Sequence, residues 1–455
     1  MTPAQLRKLD RNLTEFLDSM TVGMGRAERR RALGGYVTGL LLEGERKSIE
    51  PMAARLVEEP SQTEAMRQRL QQCVSGAAWD DDQLRRRLAQ KLERELPGLE
   101  AFLIDDTGFP KKGVHSVGVA RQYSGTLGRT DNCQVAVSLH LAGEKGSGCI
   151  AMRLYLPEEW TADGHRMRAA GVPSDVGFHR KWELALEQLD EALVWGVRRH
   201  VVVADAGYGD AREFRDGIRE RGLHYLMGVQ GAHKVWPPGA NPRKAEKVAG
   251  KYGRPRTGYV AEGLQPWTIE EVARQLPREE CHTVRWREGS RGKQSSRFAA
   301  LRVHTAERHV QRAPPSEEVW LLVEWPRGEA RPTKYYLSSL PRGTPVKQLV
   351  RLAKLRWRVE RDYQEMKGEV GLDHFEGRSW RGFHHHATLC MVAHGFLALR
   401  RVLFPPEQDA LDAVRSAAAN SMPAAAPHRP LPLMPAPGPR SGPSSGPIAH
   451  VTESY

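Results

Sequence analysis

The stretch Val201-Val-Val-Ala-Asp205 limits the fold more than any other part of the chain. Four apolar residues in a row, three of them β-branched, suit a strand covered on both faces rather than one half exposed to water. Such a strand needs helices above and below its sheet, and suitable ones flank it. Residues 178–195 place Trp182, Leu186, Leu189 and Leu193 at helical spacing, and residues 210–222 put Phe214 and Ile218 on one face, with Asp210 as the expected N-cap. Leu223–Val229 reads as the next strand. Units of this kind build a parallel region between helical layers.

Upstream, Ala101-Phe-Leu-Ile-Asp-Asp106 is a short apolar run that ends in two acids. Asn132–Leu141 and Cys149–Leu156 read as two further strands, joined by the turn Gly143-Glu-Lys-Gly-Ser-Gly148. The order is three strands, helix, strand, helix, strand, which is that of an RNase H-like core, so the expected fold class is α/β. Residues 1–95 read as an N-terminal helical domain, 96–231 as the first part of the core and 232–342 as a β-rich insertion. The insertion's expected strands are His282–Arg287, Arg297–Val303, Val319–Trp325 and Lys334–Leu337. Residues 343–404 supply the C-terminal helices of the core, one running unbroken from Val346 to about Val370 and one over 383–402. Residues 405–455, rich in Pro, Ala, Ser and Gly, are expected to form a disordered tail.

Charge narrows the partners. The 455 residues include 68 Lys or Arg against 55 Asp or Glu, a net charge of +13. That balance favours a polyanion, because each phosphate contact releases condensed counterions. Arg29–Arg31 and Arg85–Arg87 make residues 1–95 a candidate DNA-binding domain; the same clusters also read as solvated helix faces. The five cysteines are scattered without a CxxC pair, so neither a zinc site nor a disulfide framework is expected. No apolar run reaches the roughly 18 residues of a membrane helix. The N-terminus lacks the apolar core of a secretory signal. A cytoplasmic, nucleoid-associated location is the expectation.

A phosphodiester-cutting site calls for carboxylates. Two divalent ions about 4 Å apart activate an oxygen nucleophile and neutralise the phosphate, and magnesium takes hard oxygen ligands. Three acids occupy suitable positions. Asp105 follows the first apolar run; its neighbour Asp106 points to the opposite strand face and stays open as an alternative. Asp205 stands at the carboxyl end of the central strand, where open α/β sheets bind ligands. Glu360 falls with Arg356 and Lys367 within roughly 40° on one side of a helix, beside an apolar stripe of Leu352, Leu355, Val359, Tyr363 and Met366. Glu365 lies off that edge. Taken singly, each acid has an ordinary reading as a turn residue or a surface ion pair. Arg356, Arg358 and Lys367, with Lys111 and Lys112 past the first acid, are the candidate DNA contacts. His384-His-His386 points three ways on a helix and is not expected to chelate.

In order along the chain, Asp105-Asp-Thr107, Ala204-Asp-Ala-Gly-Tyr208 and Arg356-Trp-Arg-Val-Glu360-x6-Lys367 resemble the DDE transposases of bacterial insertion sequences. More narrowly they resemble the insertion-sequence family four superfamily, whose signature is Tyr-x2-Arg-x3-Glu-x6-Lys; the signature tyrosine falls on Ala353, a departure. Gly39–Ala53 and Trp79-Asp80 look like its seven-hundred-and-one branch. The resemblance implies Asp105, Asp205 and Glu360 as catalytic metal ligands for Mg2+ or Mn2+, as a pair of ions. It implies cut-and-paste transposition by a homodimer or larger assembly on double-stranded DNA, at terminal inverted repeats and a target. Some relatives stack a flipped base on an aromatic residue of the insertion, for which Trp320, Tyr335 or Tyr336 are candidates. A transposase-derived DNA-binding regulator without catalysis, and a nuclease of the same core without strand transfer, remain the alternatives.

Overall fold

A computed structural model describes residues 3–244, 259–261, 263–289, 292–307 and 318–403. The expected tail lies outside the described residues.

The Val201 segment is one of five core strands. They are β1 (Leu99–Pro110), β3 (Arg129–Gly143), β4 (Ser147–Tyr155), β5 (Val201–Ala204) and β6 (Tyr225–Val229), with a short β2 (Ala120–Ser124) beside the start of β3. Side by side they run β4, β3, β1, β5, β6; β3 is antiparallel to its neighbours, while β1, β5 and β6 are parallel. Val202, Val203 and Ala204 are buried, as the apolar run requires. β2 escapes the sequence reading because Ala-Arg-Gln-Tyr-Ser carries no apolar alternation.

Six further strands continue the sheet: β7 (Lys234–Trp236), β8 (Trp267–Thr268), β9 (His282–Gly289), β10 (Gly292–Thr305), β11 (Val319–Glu324) and β12 (Lys334–Ser338). β12 pairs antiparallel with β6, opposing Tyr336 to Gly228 and Leu337 to Met227. β11 and β10 follow in turn, so one twelve-stranded sheet takes in the core strands and six strands of the 232–342 segment, while Arg243–Lys244 and Tyr259–Val260 pair as a separate two-stranded sheet.

Five helices precede the sheet: α1 (Pro3–Thr21), α2 (Ala27–Leu41), α3 (Ile49–Arg55), α4 (Thr63–Gln71) and α5 (Asp81–Glu95). Later come α6 (Lys181–Val194), α7 (Arg212–Glu220), α8 (Val346–Leu355), α9 (Trp357–Gly368) and α10 (Trp380–Leu403). α10 is the central packing element. Its Leu389, Val392 and Phe396 share one buried cluster with Leu33, Leu40 and Leu88 of the N-terminal helices and with Leu139 and Ile150 of the sheet. A side chain at Gly395 would stand 2.5 Å from a Leu88 methyl, so the glycine lets α10 and α5 pack closely there.

Three local expectations change. β1 does not stop at the acids but runs on to Pro110, because β3 pairs with it along its whole length. The helix expected from Val346 to about Val370 is two helices that meet at Arg356, where Val359 N–H bonds the Arg356 carbonyl in a tighter i to i+3 turn. Asp210 does not cap α7; its carboxylate accepts the Gln230 N–H, and Ala211 holds the cap position. No helix among the described residues is long and apolar enough to cross a membrane.

Candidate active site

The gap that forms the site follows from strand lengths. β1 pairs with β5 only through Ala101–Leu103 and Val201–Val203, and β5 ends at Ala204. Past that point β1 has no neighbour on this side. Asp105 and Asp205 flank the opening, and α9 brings Glu360 over it.

A single guanidinium joins the three. Arg356 Nη1 lies 2.8 Å from Asp105 Oδ2 and 3.9 Å from Asp205 Oδ2, and Nη2 lies 3.4 Å from Glu360 Oε1. Two carboxylate oxygens that share one nitrogen can be no farther apart than those two distances laid end to end. Acids 100 and 155 positions apart in the chain therefore converge (205 − 105 and 360 − 205). They form a gradient from floor to rim, the Asp105 side chain being 15% exposed and that of Glu360 63%. Burial lifts the Asp105 carboxyl to about 6; Arg356 opposes that rise, and Asp205 adds to it. Such an acid carries charge comfortably only beside a cation.

Local structure fixes each acid. Asp105 Oδ1 accepts the Asp106 N–H. Asp205 Oδ1 accepts the Gly207 N–H and caps one helical turn, Ala206–Gly209, which leaves Oδ2 toward Arg356. That turn presses on β6 so closely that a side chain at Gly209 would meet the Gly228 carbonyl at 1.9 Å. The break at Arg356 sets its guanidinium one turn ahead of Glu360. Among the described residues no three acidic, histidine or cysteine side chains are gathered tightly enough to hold a metal ion as they stand. The Arg356 guanidinium lies among the three carboxylates.

Two clefts meet here and share Asp205, Arg356 and Glu360. One contains Asp105, Asp106, Lys181, Tyr208, Tyr363 and Lys367. The other reaches Tyr335, Tyr336 and Ala353. Strand alternation led us to expect only one acid of the Asp105–Asp106 pair in the site. Both line the first cleft. Asp105 meets Arg356, whereas Asp106 is 2.8 Å from Lys181 Nζ on α6.

The basic candidates divide. Arg356 and Lys367 line the first cleft, but Lys367 Nζ donates to the Gly108 carbonyl at 2.9 Å and to Thr126 Oγ1 at 3.2 Å, tying α9 to β1. Burial pushes its ammonium below its ordinary range. Arg358 donates to the Glu144 carbonyl in the β3–β4 turn and lies over the Trp357 ring, so it joins neither cleft. Lys111 Nζ is spent on the Phe375 carbonyl at 2.9 Å, and Lys112 is exposed. Of the aromatic candidates, Tyr335 and Tyr336 line the second cleft; Trp320 donates its indole N–H to the Pro341 carbonyl.

Lys181, Tyr208 and Tyr363 are cleft residues that sequence reasoning did not single out. Tyr363 sits in the apolar stripe as expected, yet its hydroxyl bonds Ser138 Oγ at 2.6 Å. No periodicity reveals such a partner. The inner face of α9 is polar as well: Asp362 binds His140 Nδ1 at 2.8 Å and Ser147 Oγ at 2.7 Å, and Glu365 binds His394, Arg361 and Arg401. His384, His385 and His386 each bond different partners, among them the carbonyls of Trp380, Val74 and Gly371.

Comparison with known proteins adds the lineage. The family described as DDE superfamily endonuclease matches residues 15–293, more than half of the chain. The chain belongs to the DDE superfamily of endonucleases. The match contains the DDE candidates Asp105 and Asp205 and ends before Glu360, which rests on the geometry alone. A curated protein of Microchaete diplosiphon, "Probable transposase for insertion sequence element IS701", is 28% identical over 199 residues, or 43% of this chain. The similarity spans about half of that relative, 48% of its length.

Proposed function

We propose that this DDE endonuclease is a transposase that cuts DNA at the inverted repeats of an insertion sequence and joins the freed end to a target. The observation that carries the reading is the meeting of Asp105, Asp205 and Glu360 around one cation, Arg356. The strand order β4–β3–β1–β5–β6, with β3 antiparallel, supports an RNase H-like core. The relative's printed name supports transposition as the role of the cut.

The donor set suits a pair of Mg2+ or Mn2+ ions. All three side chains offer hard carboxylate oxygens, and the guanidinium among them shows that the pocket accommodates positive charge. Bound there, two such ions would supply an activated oxygen nucleophile and would neutralise the phosphate. The protein's own residues do the rest. Asp105, Asp205 and Glu360 would hold the ions. Arg356 releases the carboxylates and turns to a backbone phosphate, for which its planar fork is well shaped. Lys367 keeps α9 seated on β1, so the rim carboxylate stays over the floor ones. The second cleft, lined by Tyr335 and Tyr336, offers an aromatic surface to an unpaired base. We read residues 1–95 as contributing DNA contacts through the exposed Arg29–Arg31, since Arg85 is buried against Glu191 and Asp82 and Arg87 donates to the Met20 carbonyl, and the active form as a homodimer.

The direct test is cleavage of a plasmid that carries the gene with its native flanks. Cutting is expected only with Mg2+ or Mn2+, and Asp205→Ala is expected to abolish it. Cutting that survives Asp205→Ala, or that proceeds in excess chelator, overturns the proposal. An intermolecular integration assay separates a transposase from a nuclease without strand transfer.

A further inference from the structure

Tyr208 is a deeply buried polar residue of the first cleft that the proposed mechanism leaves unused. It is 3% exposed, and its hydroxyl has no hydrogen-bond partner among the described residues. It sits in the turn Ala206–Gly209, whose approach to β6 admits no side chain at Gly209, and it packs 5.7 Å from the Phe214 ring. The residue lines the cleft that contains Asp105, Asp106, Asp205 and Glu360. Its charged or ionisable neighbours are Asp106, Asp105, Tyr363 and Asp205, in falling order of influence. Tyr363, which shares this cleft, spends its own hydroxyl on Ser138. The Tyr208 hydroxyl has no such partner among the described residues.

A buried hydroxyl without a partner is unfavourable, and few are kept in folded proteins without a use. Phenylalanine would fill the same space without that penalty. We infer that Tyr208 is a positioning residue of the cleft, its hydroxyl held in place to donate a hydrogen bond to an anionic oxygen that arrives with the ions or with DNA. The acceptor is a metal-bound water, a re-aimed carboxylate or a phosphate oxygen; all three present the same oxygen lone pair. The inference rests on the carboxylate site proposed above.

Tyr208→Phe tests it in the full-length protein. Three measurements are made beside the wild type and Asp205→Ala: thermal unfolding, Mn2+ titration by calorimetry with and without a duplex from the gene's flank, and plasmid cleavage against pH. For Tyr208→Phe we expect a melting temperature equal to or above that of the wild type. We expect Mn2+ binding weakened at least threefold in one or both titrations, and cleavage slowed at least tenfold. Weakening without DNA marks an acceptor on the ion; weakening only with DNA marks a phosphate. Unchanged cleavage and Mn2+ binding overturn the inference, and so does a loss of activity that merely tracks a lowered melting temperature. If Asp205→Ala binds Mn2+ like the wild type, the carboxylate site itself fails, and the inference falls with it. If Asp205→Ala loses Mn2+ while Tyr208→Phe keeps both binding and cleavage, only the inference fails.

Discussion

Arg356 is where single-residue physics is clearest. Three carboxylates with no cation between them would repel one another, and Asp105, the most buried, would be driven toward its neutral form. The guanidinium prevents that and in doing so competes with any ion. Arg356→Gln should therefore bind Mn2+ at least tenfold more tightly than the wild type in the absence of DNA. The same variant should bind duplex DNA more weakly, with the slope of log affinity against log salt smaller by about 1. Calorimetry and a salt series of binding isotherms measure the two effects. Equal Mn2+ affinity in both proteins would show that the ion and the guanidinium do not share the same space.

At the scale of elements, α9 is held by a polar inner face rather than by an apolar stripe alone. Burial raises the Glu365 carboxyl, but hydrogen bonds from His394, Arg401 and Arg361 outweigh that and hold it below the usual carboxylate range. A carboxylate with a lowered folded pKa stabilises the fold fully above its unfolded value, about 4.3, and the benefit fades as pH falls toward the lower folded one. Glu365→Gln should cost about 2 kcal/mol near pH 7, with a smaller difference below pH 4. Urea unfolding of both proteins at each pH measures it; a pH-independent difference would contradict the linkage. The same contrast marks what the sequence makes legible. The Val201 run, the helix spacing around Leu186 and the three acids are visible because burial and chemistry repeat at fixed short intervals. The Lys181–Asp106 pair and the Tyr363–Ser138 bond are invisible because each depends on a partner far away in the chain; β2 is missed because it lacks apolar alternation, and the break at Arg356 because it interrupts a continuous helical pattern. Arg358 and Lys111 illustrate the converse: near the motif in sequence, they are committed to the Glu144 and Phe375 carbonyls.

At the scale of the whole molecule, the shared core joins what the sequence separates. Leu33, Leu40 and Leu88 are buried in the same cluster as α10 and the sheet. A chain beginning after Glu95 would expose that surface, at about 25 cal/mol for each Å2 of apolar area. We expect a truncated protein of residues 96–455 to be insoluble, or to lose cooperative unfolding in calorimetry. A soluble, sharply melting fragment would mean that the helices are an independent module. The continuity of the sheet reaches further. Between β4 and β12 each neighbouring pair is zipped by backbone hydrogen bonds, with β5 and β6 well inside. The proposed nuclease centre is therefore rooted in strands that are paired to both neighbours among the described residues. Room for a duplex has to come from swinging side chains and shifting helices, and backbone amides of β5 and β6 should stay locked against exchange with solvent while substrate comes and goes.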